Sequence, residues 1–74
     1  MMKVAEFREL VDAVCDATRS LRSATNAERD AEACRVQRWV RELRDCEWPQ
    51  RLSETDRRKA LMAMDQAHEV VTMA

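Results

Sequence analysis

Apolar residues recur at alternating spacings of three and four through the first third of the chain. This spacing places them on one side of an α-helix, and it predicts a first helix over about residues 3–22. Acidic residues occupy the opposite side, and Arg19 and Arg22 lie in the last turns, where positive charge offsets the helix dipole. The predicted stripe consists of Val4, Phe7, Val11, Val14, Thr18 and Leu21, widened by Leu10, Cys15 and Ala17.

A short polar break separates this helix from a second amphipathic segment. Thr25 is followed three residues later by Glu28, a spacing typical of a capping box, and the segment predicts a helix over about residues 26–45. Its N-terminal half carries small residues on nearly the opposite side from the apolar stripe of its C-terminal half, so we expect this helix to have more than one packing partner. The small-residue face consists of Ala27, Ala31 and Cys34, and the stripe of Val36, Trp39, Val40, Leu43 and Cys46.

The pair Trp48-Pro49 predicts the end of the second segment, because a residue that precedes proline is disfavoured in helical conformation. Ser53 and Asp56 then resemble another capping box and predict a third helix over about residues 54–72. The stripe expected to be buried consists of Ala60, Leu61, Met64, Ala67, His68 and Val71, while Met62 and Met73 point away from it.

These segments predict a single all-α domain over residues 1–74, in which an antiparallel helical hairpin is joined by a third helix. The third helix completes either a three-helix bundle or a dimer of two chains. The apolar face of the first helix spans roughly 160°, wider than the ~100° that packing on one surface requires. A chain this short also buries little apolar surface. We therefore expect a homodimer, with the monomeric bundle as the alternative.

Composition excludes several classes of function. The chain has no glycine, so the glycine-rich loops that bind phosphates and the turns that expose catalytic nucleophiles are absent in their usual form. Charged residues make up 36% of the chain with a net charge of −1, and the two signs alternate throughout, which disfavours nucleic acid as a partner. The longest uncharged apolar run, residues 60–64, is far shorter than the ~20 residues of a membrane span.

The three cysteines are odd in number and form no CxxC pair, and no apolar secretion signal follows the N-terminus. We expect reduced thiols in a cytoplasm, that of the host cell if a phage encodes the chain. Cys15, Cys34, Cys46 and His68 have the residue types of a zinc site but not its close ligand pairs. We therefore expect no metal, no cofactor and no catalytic residue.

These exclusions favour a small non-catalytic protein that binds another protein and regulates or inhibits it, such as an accessory protein of a bacterium or phage. The alternatives are a DNA-binding regulator, suggested by Arg35, Arg38, Arg41 and Arg44 at steps of three, and a structural subunit of a helical assembly. Trp48 is either a lid over the core or an exposed anchor for a partner. The residues expected at partner or self-association surfaces are Phe7, Leu10, Val14, Ala27, Ala31, Cys34, Trp48 and Arg51.

Overall fold

The fold is built around its first helix. The computed structural model describes residues 2–73, and over this range the chain forms three helices: α1 (Val4–Arg22), α2 (Arg29–Asp45) and α3 (Glu54–Met73). The predicted all-α, three-helix architecture is confirmed. Across the described range, none of these helices combines the length and the apolar character needed to cross a membrane.

The predicted stripe of α1 forms the centre of the core. Its members are buried, apart from the half-buried Val4, and Ala17 joins them. The hydroxyl of Thr18 is satisfied within the helix, because its Oγ1–H donates to the Val14 carbonyl oxygen at 2.7 Å. α1 packs against both α2 and α3 more extensively than these two pack against each other. Most of its wide apolar face is therefore covered within one chain, while Leu10 and Cys15 on its flanks remain partly exposed.

α2 begins three residues later than the sequence predicted. The Glu28 carboxylate accepts hydrogen bonds from the Thr25 hydroxyl (2.7 Å) and the Thr25 backbone N–H (3.3 Å), and these bonds lower its pKa. The Thr25 hydroxyl is thus occupied by Glu28 and does not cap a helix N–H. Residues 26–28 form a separate turn, and helical hydrogen bonding starts with Glu32 N–H donating to Glu28 C=O at 3.0 Å.

The end of α2 is closed by a tryptophan. The Trp48 indole Nε1–H donates to the Leu43 carbonyl oxygen at 2.8 Å, one of the carbonyls that a helix C-terminus leaves without a partner. The Trp48 ring meets Phe7 edge to face, with 5.0 Å between ring centroids. Pro49 is buried beside it. Glycine often ends helices through a left-handed residue, and here, in a chain without glycine, a side-chain donor satisfies the terminal carbonyl.

α3 is rotated relative to the predicted stripe. Its buried positions are Asp56, Ala60, Ala63 and Ala67, whereas Leu61 is 53% exposed and His68 is also exposed. The prediction that Leu61 and His68 lie in the buried stripe is therefore wrong. Small side chains allow two helix backbones to approach closely, and the alanine face of α3 provides the tight contact with the bundle. The outward position of Met62 and Met73 is confirmed, with exposures of 54% and 77%.

Candidate functional site

The most distinctive open surface is a groove between α2 and α3, which we call the α2–α3 groove. It has a volume of about 310 Å³. Its most buried lining residues are apolar, with Val36 and Ala67 buried and Val40 and Val71 half-buried, while polar atoms contribute the larger part of its exposed lining surface. The lining residues are Val36, Gln37, Val40, Arg41, Arg44, Ala67, His68 and Val71.

The rim of this groove is polar and lacks negative charge. Gln37, Arg41 and Arg44 are exposed along the α2 side and His68 along the α3 side, and within residues 2–73 no carboxylate lines the groove. Arg44 Nε lies 3.1 Å from Asp45 Oδ1, in an exposed pair on the same helix. The groove therefore combines an apolar floor with hydrogen-bond donors that suit an acidic ligand.

By helical spacing, two larger apolar side chains of α3 lie on the same face of this helix as the groove residue His68. The half-buried Met64 lies one turn before His68, and Leu61 lies three residues before Met64 on the same flank by helical spacing. The alanines occupy the face turned to the core. α3 thus buries its smallest apolar residues and leaves larger ones at the surface.

A second polar cluster joins the start of α3 to α1. Arg8 Nε–H donates to Asp56 Oδ1 at 3.2 Å, and Arg8 Nη2–H donates to Oδ2 at 3.0 Å. The Ser53 hydroxyl also donates to Oδ2 at 3.0 Å and accepts the Asp56 backbone N–H at 3.1 Å. The bonds from Arg8 and then Ser53 hold the Asp56 pKa below its ordinary value. This carboxylate is therefore ionised and fully engaged in holding α3, which suits a structural role better than proton transfer.

Two of the three thiols, those of Cys15 and Cys46, are poorly placed for nucleophilic chemistry. Burial raises the Cys15 pKa, and the charges of Asp12 and Asp16 raise it further. Burial likewise raises the Cys46 pKa, and its Sγ–H donates to the Leu43 carbonyl oxygen at 3.2 Å. A raised pKa reduces the thiolate fraction that would attack a substrate.

The described part of the chain also brings no three His, Cys, Asp or Glu side chains together as a metal site. The cysteines and His68 that share residue types with zinc ligands thus do not converge over residues 2–73.

The arginines spaced by three along α2 do not form one basic face. Successive steps of three turn around the helix by about 60° each. Two of the four also sit beside carboxylates: Arg35 Nη1 is 3.6 Å from Glu32 Oε2, and Arg44 is paired with Asp45. This dispersion does not match the continuous basic surface that phosphate binding requires.

The partner residues expected from the sequence fall into three groups. Phe7 and Val14 have 0% exposure and support the core, so in the single chain they offer no surface. Leu10 and Trp48 are half-buried and Arg51 is exposed. The third group is the predicted small-residue face, of which Ala31 and Cys34 are exposed on α2, while Ala27 is exposed in the turn that precedes this helix.

The α2–α3 groove was not predicted from the sequence, although the sequence contains one signal for it. Ala60, Ala63 and Ala67 recur at spacings of three and four, a pattern that suits close helix contact. Assigning this alanine face to the core turns Leu61 and His68 outward. His68 and Val71 then lie along the groove beside Ala67.

Comparison of the chain with models of protein families, with curated proteins and with solved structures found no match. Only the chemistry and shape of the chain itself therefore bear on its function.

Proposed function

We propose that this chain is a non-catalytic protein-binding module that regulates or inhibits a larger protein by occupying its surface, in the cytoplasm of a bacterium or of a phage-infected cell. The observation that carries this proposal is the arrangement of α3, which buries alanines, leaves Leu61 53% exposed, and lines the α2–α3 groove with Ala67, His68 and Val71. A helix selected only for folding gains more free energy by burying leucine than alanine. Large apolar side chains kept at the surface instead favour contact with another protein.

The free energy gained by burying these exposed apolar side chains is consistent with binding. Full burial of a leucine or methionine side chain contributes about 1.5–3 kcal/mol, so burying the exposed half of Leu61 contributes about 1 kcal/mol. The half-buried Met64, Val40 and Val71 add to this when a partner covers the groove. Several such increments are needed to offset the loss of translational and rotational freedom on association.

The test uses two neighbouring residues of α3 as a matched pair. Leu61 and Met62 are 53% and 54% exposed, but by helical spacing only Leu61 shares a face of α3 with the groove residue His68, seven residues later. The wild-type chain, Leu61→Glu and Met62→Glu are each immobilised and exposed to lysate from the cells that naturally make the chain. Bound proteins are identified and quantified by mass spectrometry. We expect one stoichiometric protein on the wild type and on Met62→Glu, and its loss on Leu61→Glu.

Two other outcomes contradict different parts of the proposal. Retention of the same partner by both variants places binding on another face of the chain. Recovery of no protein other than the chain itself contradicts the binding role. Circular dichroism of both variants, with helical spectra equal to that of the wild type, shows that a loss of binding does not reflect unfolding.

A further inference from the structure

We infer that the α2–α3 groove binds an amphipathic helix of another protein, with apolar residues of that helix on the groove floor and acidic residues along its flanks. This inference rests on the proposed binding function and names the chemistry of the partner.

The shape of the groove suits a helix. Two side-by-side helices form its walls, and its floor is apolar along both. Val36 and Val40 are four residues apart on α2, and Ala67 and Val71 are four apart on α3, so each wall presents apolar groups one helical turn apart. Apolar residues of an incoming helix at spacings of three and four match this repeat. The bound helix would add a fourth member to the bundle.

The positive charge of the groove rim favours acidic residues on the flanks of the bound helix. Arg41 is exposed at the rim, and in residues 2–73 it makes no ion pair with a carboxylate of its own chain. Arg44 is paired only with its neighbour Asp45, through an exposed contact that a partner carboxylate can replace. Arginine binds carboxylates through two parallel hydrogen bonds, so acidic flanking residues complement this rim.

The same charge argues against a second copy of this chain in the groove. A twofold pairing of two identical grooves would bring the Arg41 and Arg44 side chains of one chain towards those of the other. Like charges placed together at an interface oppose association. The complementary occupant is therefore a different protein that carries acidic residues.

The test is a displayed library of helical peptides selected for binding to the full chain. Core positions of each peptide vary among Leu, Ile, Val and Met at spacings of three and four, and flanking positions vary between Glu and Lys. We expect binders of the wild type to carry Glu at the flanks. The selected peptides should bind Arg41→Glu at least about tenfold more weakly, because the substitution places a carboxylate opposite their acidic flanks.

Arg38→Glu is the matched control, since Arg38 is an exposed arginine of the same helix outside the groove lining. We expect it to change binding by no more than about twofold, because an exposed charge away from the contact acts weakly through solvent. Arg41→Ala removes the positive charge without adding a negative one and should give an intermediate loss. Circular dichroism verifies that each variant is folded.

Four results would overturn the inference, and three of them come from the selection itself. These are a library without binders, binders with no preference for Glu, and binders that Arg41→Glu and Arg38→Glu affect equally. Labelled duplex DNA that competes with the peptides would also overturn it, by assigning the arginines to phosphate binding. A partner captured from lysate together with any of these results leaves the binding function standing and removes only the acidic helix as its ligand.

Discussion

Trp48 provides the sharpest test of how this small fold is held together. Its indole contributes a hydrogen bond to the Leu43 carbonyl oxygen at 2.8 Å and an edge-to-face contact with Phe7. The hydrogen bond contributes about 1 kcal/mol and the aromatic contact about 1 kcal/mol. More than half of the Trp48 side chain is enclosed, and this burial contributes about 2 kcal/mol. Trp48→Ala should therefore lower the free energy of unfolding by about 4 kcal/mol.

Trp48→Phe separates these contributions. Phenylalanine keeps an aromatic ring against Phe7 but has no N–H to donate to Leu43, so we expect a loss of about 1–2 kcal/mol. Glu47→Ala is the control, because Glu47 is the exposed neighbour of Trp48 and its loss should change stability by no more than about 0.5 kcal/mol.

The assay is urea unfolding followed by far-ultraviolet circular dichroism. With a slope of about 1 kcal/mol/M, Trp48→Phe should lower the urea midpoint by about 1–2 M. A domain of this length has a total stability of about 4–11 kcal/mol, so Trp48→Ala can unfold outright while Trp48→Phe still gives a measurable transition. Equal stability of Trp48→Ala and Glu47→Ala would refute the role of Trp48 as a lid. It would favour Trp48 as a binding anchor instead.

Two further predictions concern pH and self-association. The Asp56 pKa is lowered by Arg8, so the stability this carboxylate contributes is present above the unfolded value of about 3.9 and is lost as pH falls through the lower folded value. As the pH is lowered through this range, the urea midpoint should fall for the wild type and for Glu54→Gln, and it should fall less for Asp56→Asn. An equal change of the midpoint in all three proteins would contradict the assignment. The homodimer stays a prediction, and if the small-residue face forms it, Ala31→Arg should convert a dimer to a monomer by light scattering. A wild-type chain with the mass of one copy at micromolar concentration would contradict the dimer itself.

The accuracy of the sequence predictions depended on how the large and the small apolar residues are distributed around each helix. In α1 the bulky residues occupy one stripe, so hydropathy and packing select the same face and the prediction was confirmed. In α3, the adjacent residues Leu61 and Met62 lie on opposite flanks of the buried alanine face. Hydropathy favours the leucine side, whereas close helix contact favours the alanines, and packing decided the orientation. The error in α3 thus reflects a competition that the pattern of apolar residues alone does not resolve.

The same distinction separates local from tertiary features of the candidate sites. The Ser53–Asp56 capping pair follows from a spacing of three residues and was predicted. Its partner Arg8 lies 48 residues away in sequence, and only the packing of α3 on α1 brings the two together. The α2–α3 groove is likewise a product of the relative rotation of two helices. The alanine spacing in α3 indicates which face of that helix is buried, but no short-range spacing sets how α2 packs against it.

The way α3 is attached connects its stability with its proposed role. Its buried apolar residues are alanines, each of which contributes less on burial than leucine, and the Asp56 carboxylate ties its first turn to Arg8. Met64, Val70 and Val71 are only partly buried against the core, and Leu61, Met62 and Met73 are exposed, so covering them adds burial that the single chain does not have. A ligand that binds only the folded chain stabilises it by about 2.7 kcal/mol at one hundred times its Kd. An acidic amphipathic helix in the groove would therefore stabilise the docking of α3 as it binds. The placement of alanines inside and larger apolar residues outside then both limits the stability of the free chain and provides the proposed binding surface.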